Sequence, residues 1–428
     1  MKIKTTKKSY DEVVAIKDSL PKQSKKPKKP NILFRTLVRA LSIPELVATG
    51  FKCRKIGMEK LGKNESCLVL MNHSSFIDLK IASAVLYPRA FNIVCTADAL
   101  VGKEWLMRQI GCFPTHKFVL DLGLIKNMKY ALSKLNSSVL MYPEAGYSFD
   151  GRATVIPDSL GKLLKYLDVP VVMIKTEGAF LRDPLYNNLR KRKVKVSADV
   201  TYLLSREDIK EKTPEELNSI LAEQFSFDNF RTQQEKGIKV DAPFRTDFLE
   251  RVLYKCPYCN AEGEMYGKGI QIKCNACGKV HWLNENGSLE TFHEDPIFSH
   301  IPDWYDWERE CVRKEIEEGS YLLDTEVDIY MMVDTSKVYQ VGGGRLIHNE
   351  NGFVLDGCEG KLHYEQKPLF SYSLCADYYW YEIGDVICIG NLDALYYCFP
   401  KDKKVSVAKA RLATEELYKI AMEQKRKK

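Results

Sequence analysis

Residues 67 to 79 read Cys-Leu-Val-Leu-Met-Asn-His-Ser-Ser-Phe-Ile-Asp-Leu, and the fold follows from how they divide. Cys67 to Met71 is a short, continuous apolar run of the kind that makes a buried strand. Asn72 ends it. Ser74 and Ser75 are N-cap types, and an apolar-periodic segment continues through Leu86. The stretch predicts a strand that exits into a helix. His73 then stands at the strand end and Asp78 in the first helical turns, where a carboxylate reaches back to one ring nitrogen. That arrangement fixes the tautomer and leaves the other nitrogen as a base. A helix start with a merely hydrogen-bonded histidine gives the same pattern, so the surrounding chain has to decide.

Further strands are expected at Phe91–Cys95, Ser138–Tyr142, Val169–Thr176 and Val194–Leu203, with helical stretches between the first four. This is α/β order and predicts a mostly parallel sheet. Ligand-binding groups collect at the carboxyl ends of such strands. His73 and Glu144 both follow strand ends.

Asn72-His73 with Asp78, behind an apolar strand, resembles the glycerolipid acyltransferase family, best known from the 1-acyl-glycerol-3-phosphate acyltransferases. The resemblance implies that His73 is the general base and Asp78 its orienting partner. In that family a glycine is followed six residues later by an arginine that binds substrate phosphate. Here Gly111-Cys-Phe-Pro-Thr-His-Lys117 keeps the charge but loses the bidentate fork; alone, Lys117 reads as a solvated loop residue.

Tyr142-Pro-Glu-Ala-Gly-Tyr-Ser148 is similar to the family's Pro-Glu-Gly-Thr-Arg-Ser element. Pro143, Glu144 and Ser148 match; Ala145, Gly146 and Tyr147 depart. The resemblance implies a substrate-binding loop containing Glu144, Gly146 and Ser148, with Glu144 serving acceptor binding or the local architecture. Arg152 is the candidate replacement for the arginine lost at Tyr147. Val169-Pro-Val-Val-Met-Ile174 follows in family order, with Met173 in place of a second proline.

Cys256-Pro-Tyr-Cys259 and Cys274-Asn-Ala-Cys277, fourteen residues apart, form a metal-type module. Four thiolates leave no open coordination position, so Cys256, Cys259, Cys274 and Cys277 read as a structural zinc ribbon, with a rubredoxin-type iron site as the minor alternative. An acyltransferase domain followed by such a ribbon is similar to a bacterial acyltransferase subfamily. Residues 304–316 predict an amphipathic helix with an aromatic start. Beyond residue 321 strands dominate, at Val327–Val333, Lys337–Val341, Gly352–Leu355, Leu362–Glu365, Tyr378–Glu382, Val386–Ile389 and Ala394–Cys398, before a closing helix from Ser406 to Gln424. This topology resembles a pleckstrin-homology-like barrel.

The chain has 428 residues and a net charge of +7, room for two to four domains. Residues 1–40 hold twelve Lys and Arg against three Asp and Glu, so the remainder is slightly acidic. A basic arm on a near-neutral body points to an anionic membrane surface and away from nucleic acid. The segment from Asn31 is amphipathic, with Phe34, Leu37, Val38 and Leu41 on one face. It reads equally as an interfacial anchor or a core-packing helix. No apolar run is long enough to span a bilayer. Thirteen cysteines, an odd number, and no secretion signal point to reduced thiols in a cytoplasm.

The organisation expected is a basic arm (1–30), an α/β acyltransferase domain with a mostly parallel sheet (31–250), a zinc ribbon (251–284), a linker and helix (285–320) and a β-rich domain with a C-terminal helix (321–428). Residues 206–253 are expected to be helical, and residues 1–30 to stay extended and unpacked. The function expected from the resemblance is transfer of a fatty acyl group from an acyl-CoA or acyl carrier protein thioester to a lysophospholipid, lysophosphatidic acid foremost, in phospholipid biosynthesis by a cytoplasmic, peripherally membrane-associated enzyme. The competing expectation is a catalytically inactive lipid-binding or scaffold protein that keeps the fold.

Overall fold

The computed structural model describes residues 2–21, 25–119 and 121–427. A seven-stranded sheet runs in the order Lys52–Ile56, Ser197–Leu204, Val171–Glu177, Leu68–Met71, Ser138–Met141, Phe91–Thr96 and Cys112–Thr115. Every neighbouring pair is parallel except Val171–Glu177 with Ser197–Leu204. Leu68–Met71 lies at the centre, and both its faces are covered, which is why it is apolar without alternation. Val69 and Met71 join the core with Ile77 and Ile81 of the helix Ile77–Leu86. Leu68 and Leu70 face the other way, against Met128 and Leu164 of the helices Leu122–Ser133 and Leu160–Leu167.

Two strands, Lys52–Ile56 and Cys112–Thr115, lie outside the sequence expectation. Both are edge strands. The first is exposed throughout and rich in charge, the second contains Pro114, and edges carry such residues rather than apolar runs. Residues 206–253 are also less helical than expected. The helices Arg206–Glu211, Pro214–Gln224 and Asn229–Glu235 are followed by irregular chain, and the apolar cluster around Leu249 is one short turn, Leu249–Arg251.

The N-terminal arm packs, contrary to expectation. Thr5–Lys7 pairs in parallel with Val338–Gln340. The helix Tyr10–Ser19 starts with a capping box from Ser9 and Glu12 and buries Val13 completely. Lys25 then meets Glu104 at 2.8 Å, and the Lys28 carbonyl accepts from Asn92. Lysines dominate the composition of this arm, yet backbone pairing and the packing of Ile3, Tyr10, Val13 and Ile16 seat it.

The cysteine module is a four-stranded antiparallel sheet in the order Leu289–Glu290, Val280–Leu283, Gln271–Cys274 and Met265–Lys268. The C-terminal sheet runs in the order Leu362–Gln366, Gly352–Gly357, Val338–Asn349, Leu323–Met332, Leu395–Pro400, Gly384–Gly390 and Cys375–Trp380, with Thr5–Lys7 added. The helix Val407–Lys427 closes it. The segment 285–320 is more than a linker. Trp304, fully buried on the helix Ile301–Glu317, donates through its indole to the Lys255 carbonyl at 2.9 Å. One continuous apolar core joins Phe180 and Tyr186 beside the first sheet, Ile272 in the cysteine module, Trp304, and Val327 and Leu346 in the C-terminal sheet. Among the described residues no helix is long and apolar enough to cross a membrane.

Candidate active site

Adjacent parallel strands Leu68–Met71 and Ser138–Met141 end side by side, which brings His73 and Glu144 together. The helix behind His73 begins at Ile77, later than the serines suggest; the Ser75 hydroxyl accepts from the Ile77 N–H at 3.3 Å instead. Asp78 folds back. Its Oδ2 lies 3.0 Å from His73 Nδ1 and accepts the N–H groups of Ser74 and Ser75 at 2.8 and 3.0 Å. A carboxylate that accepts two backbone donors also accepts from the ring, so Nδ1 carries the proton and Nε2 keeps its lone pair. Asn72 ties the turn to the next strand: its Oδ1 accepts from the Thr176 N–H at 2.8 Å.

The His73 ring lies between two tyrosines, with centroid distances of 4.1 Å to Tyr142 and 4.2 Å to Tyr147 and tilts of 29° and 31°. Two rings this close and this nearly parallel occupy opposite faces, so the ring edge is what the solvent side reaches. The aromatic faces favour a cation between them, the state an imidazole enters when it accepts a proton. Tyr147 was legible in the sequence only as a departure from a motif, and Tyr142 as the end of a strand. Stacking on a histidine leaves no local sequence signal.

Glu144 is fully buried and does not reach the cavity. Its Oε2 accepts the His73 N–H at 2.8 Å and its Oε1 the Thr154 N–H at 2.9 Å. Burial raises its carboxyl to about 7, against the pull of these two hydrogen bonds. Ser148 is also buried: its hydroxyl donates to the Arg152 carbonyl at 2.6 Å and accepts from the Gly151 N–H. Gly146 faces open space and needs no left-handed backbone; Ala145 beside it holds φ at 53°.

Arg152 turns away from the cavity. It bonds Asp150 at 2.8 Å and grips Asp306 through both terminal nitrogens at 2.5 and 2.6 Å, with a further bond to the Pro302 carbonyl. The charge expected to replace the lost family arginine is committed to the helix Ile301–Glu317.

A cavity of about 1660 Å³ opens in front of His73. Phe76, Leu79, Met107 and Ile125 line it, as do Lys117, Lys126 and Lys162. Lys117 follows the edge strand Cys112–Thr115, where Gly111 permits the close pass of Pro30 that a Cβ would block at 2.9 Å. Burial pushes the Lys117 ammonium down, but Cys375, Asp377 and Asp98 together push it up by more, so it stays charged. Burial raises Asp377 to about 6.

Residues 52–175 match the Acyltransferase family. The matched span contains His73, Asp78, Lys117, Glu144 and Arg152, and it supports an acyltransferase domain and an acyltransferase activity in the chain. Seven solved chains are matched by structure. Among them is the 1-acyl-sn-glycerophosphate (LPA) acyltransferase PlsC from Thermotoga maritima, at 14% identity and a TM-score of 0.35, over 45% of this chain and 80% of that one. No curated protein is matched. An imidazole of fixed tautomer, opening from the acyltransferase domain into a largely apolar cavity, can take a proton from a hydroxyl without any nucleophilic side chain.

The four cysteines meet as expected. The sulfurs of Cys256, Cys259, Cys274 and Cys277 all lie within 4.8 Å of one another. Cys256 to Cys277 and Cys259 to Cys274 are both 3.7 Å. A tetrahedral ion with bonds to sulfur of about 2.3 Å sets neighbouring sulfurs about 3.8 Å apart, so the donor set fits a metal ion with a closed coordination shell.

Proposed function

We propose that the chain transfers a fatty acyl group from an acyl-CoA or acyl carrier protein thioester to the free hydroxyl of a lysophospholipid, with lysophosphatidic acid the first candidate. The observation that carries this reading is the His73–Asp78 pair facing the cavity from the acyltransferase domain. His73 Nε2 takes the hydroxyl proton while Asp78 holds the developing imidazolium. The oxygen attacks the thioester carbonyl, the C–S bond breaks, and the departing thiolate takes the proton back from His73. An ester and a free thiol result, with no acyl-enzyme.

Lys117 is the residue of this reading that meets the acceptor's anionic head. Glu144 and Ser148 serve it by holding the backbone around His73, and Arg152 by bracing the loop. The helix Ile32–Ala48 supports docking at an anionic, cytoplasm-facing bilayer. Leu33, Leu41 and Val47 on it are 70%, 68% and 72% exposed, an apolar face that suits an interfacial position better than a core. The Cys256, Cys259, Cys274 and Cys277 cluster is assigned a structural zinc, on its all-sulfur, closed donor set. The C-terminal region, a β-sheet closed by the helix Val407–Lys427, is assigned a pleckstrin-homology-like fold as part of this reading.

The scaffold reading draws on the commitment of Arg152 to Asp306, which leaves no arginine at the head-group position. The intact His73–Asp78 geometry speaks against it. Free-thiol release from palmitoyl-CoA, with and without lysophosphatidic acid, separates the two: acceptor-dependent release that His73→Ala abolishes supports the enzyme, and its absence from folded, zinc-loaded wild-type protein supports the scaffold.

A further inference from the structure

The cavity before His73 is not closed by the acyltransferase domain alone. At about 1660 Å³ it exceeds the roughly 300–1,000 Å³ of sites that take one small ligand. Its far wall comes from the last sixty residues of the chain: Leu369, Phe370 and Tyr372 ahead of the strand Cys375–Trp380, and Tyr418 and Met422 on the closing helix.

This wall is fixed in place by polar and aromatic contacts to the rest of the chain. The Trp380 indole donates to Asp98 at 3.1 Å. Tyr378 donates to the Arg251 carbonyl at 2.8 Å, and its ring lies 4.4 Å from Phe149. Tyr372 packs edge-on against Phe118. On the closing helix, Arg411 reaches the Tyr147 carbonyl at 3.4 Å, so the segment that forms the wall also supports the loop stacked on His73.

The chemistry of the two walls differs. The acyltransferase domain contributes Lys103, Lys117, Lys126 and Lys162, together with Asp98, Asp121 and Asp158. The carboxyls of the C-terminal wall are Asp377, Glu382 and Glu415, and its one lysine, Lys419, is held by Glu416 at 2.6 Å. Most of the cations that can meet an anionic head therefore stand on the first wall. What the second wall offers is apolar surface, and part of it stands open: Leu369 is 44% and Phe370 43% exposed. Open apolar side chains clustered at the rim of a cavity mark a surface that a ligand covers.

We propose that the C-terminal region is part of the substrate site: Leu369, Phe370, Tyr372, Tyr418 and Met422 seat the hydrocarbon tail of the long-chain acyl group and set the chain length accepted. This rests on the acyl-transfer reading for the reaction, but the binding surface is tested without it. The variants are Leu369→Trp and Met422→Trp in the full-length, zinc-loaded protein. Both positions are outside the buried core, so each variant is expected to fold, and circular dichroism checks each.

Calorimetric titration of palmitoyl-CoA and octanoyl-CoA into these variants, in the His73→Ala background, reads the tail alone. The wall predicts that palmitoyl-CoA binds about tenfold more weakly, as for lost apolar complementarity in a pocket, while octanoyl-CoA stays within about threefold. In the His73 background the kcat/KM ratio of palmitoyl over octanoyl falls to match. Selective loss of palmitoyl binding, together with no turnover by the protein that keeps His73, upholds the tail site and overturns the acyl-transfer reading. Palmitoyl-CoA affinity unchanged in both folded variants, or weakened equally for both chain lengths, overturns the tail site whatever the turnover.

Discussion

Tyr147 lies 4.2 Å from His73, ring centroid to ring centroid, and Tyr142 lies 4.1 Å away on the other face of the same ring. Tyr147 is thus a ring that faces the base. Tyr147→Phe keeps the ring and is expected to keep kcat within about threefold. Tyr147→Ala opens one face of the imidazolium and loses a contact worth roughly 1–2 kcal/mol, so kcat is expected to fall about tenfold. Equal kcat for the Phe and Ala variants would show that the stack has no part in turnover.

Glu144 makes stability depend on pH. Burial raises its carboxyl from 4.5 to about 7, so the folded chain holds this proton more tightly than the unfolded one. Its contribution is fully present below about pH 4.5 and is lost as pH rises towards 7, by about 3 kcal/mol in all. Glu144→Gln cannot ionise. Denaturant unfolding at pH 4.5 and at pH 7.5 should show the variant gaining on wild type by roughly that amount; a difference independent of pH would mean that Glu144 is not raised.

Arg152 is expected to behave as a brace. Arg152→Ala removes the guanidinium that Asp150 and Asp306 share and should lower stability by about 2 kcal/mol, the scale of a charged hydrogen bond, while KM for lysophosphatidic acid changes little. Lys117→Ala should raise that KM, and it should also lower stability because Asp377 and Asp98 lose the ammonium beside them. A large rise in KM from a stable Arg152→Ala protein would return Arg152 to the head-group site.

Metal removal should be felt widely. Cys256 and Cys274 belong to the same apolar core as Trp304 and Leu346, and Lys255 beside the first pair donates its N–H to the buried Glu308 at 2.8 Å. Chelation is expected to lower the unfolding temperature of the whole chain in one transition. A separate early transition that leaves the main one in place would show that the module melts alone.

The site was legible where it is local. His73 and Asp78 are five residues apart, their strand is a bare apolar run, and the four cysteines carry their own spacing, so each could be read from the chain alone. Glu144 was placed correctly at a strand end, although its role proved to be holding backbone. What escaped depends on distant partners. Arg152 is claimed by Asp306, 154 residues on; Thr5–Lys7 pairs with Val338–Gln340; and the wall opposite His73 comes from residues beyond 369. None of these pairings leaves a period or a motif in either segment, since register across such separations is set by packing. Edge strands escaped for a related reason: Lys52–Ile56 is exposed throughout and reads as a charged loop.

The most direct test of the account follows a labelled acyl group. Carbon-13 palmitoyl-CoA and lysophosphatidic acid are incubated with zinc-loaded wild-type protein and with His73→Ala, and the lipid products are resolved by mass spectrometry. The account predicts a labelled ester on the lysolipid hydroxyl from the wild type and none above background from the folded variant. The same labelled ester from His73→Ala at near wild-type rate would contradict it.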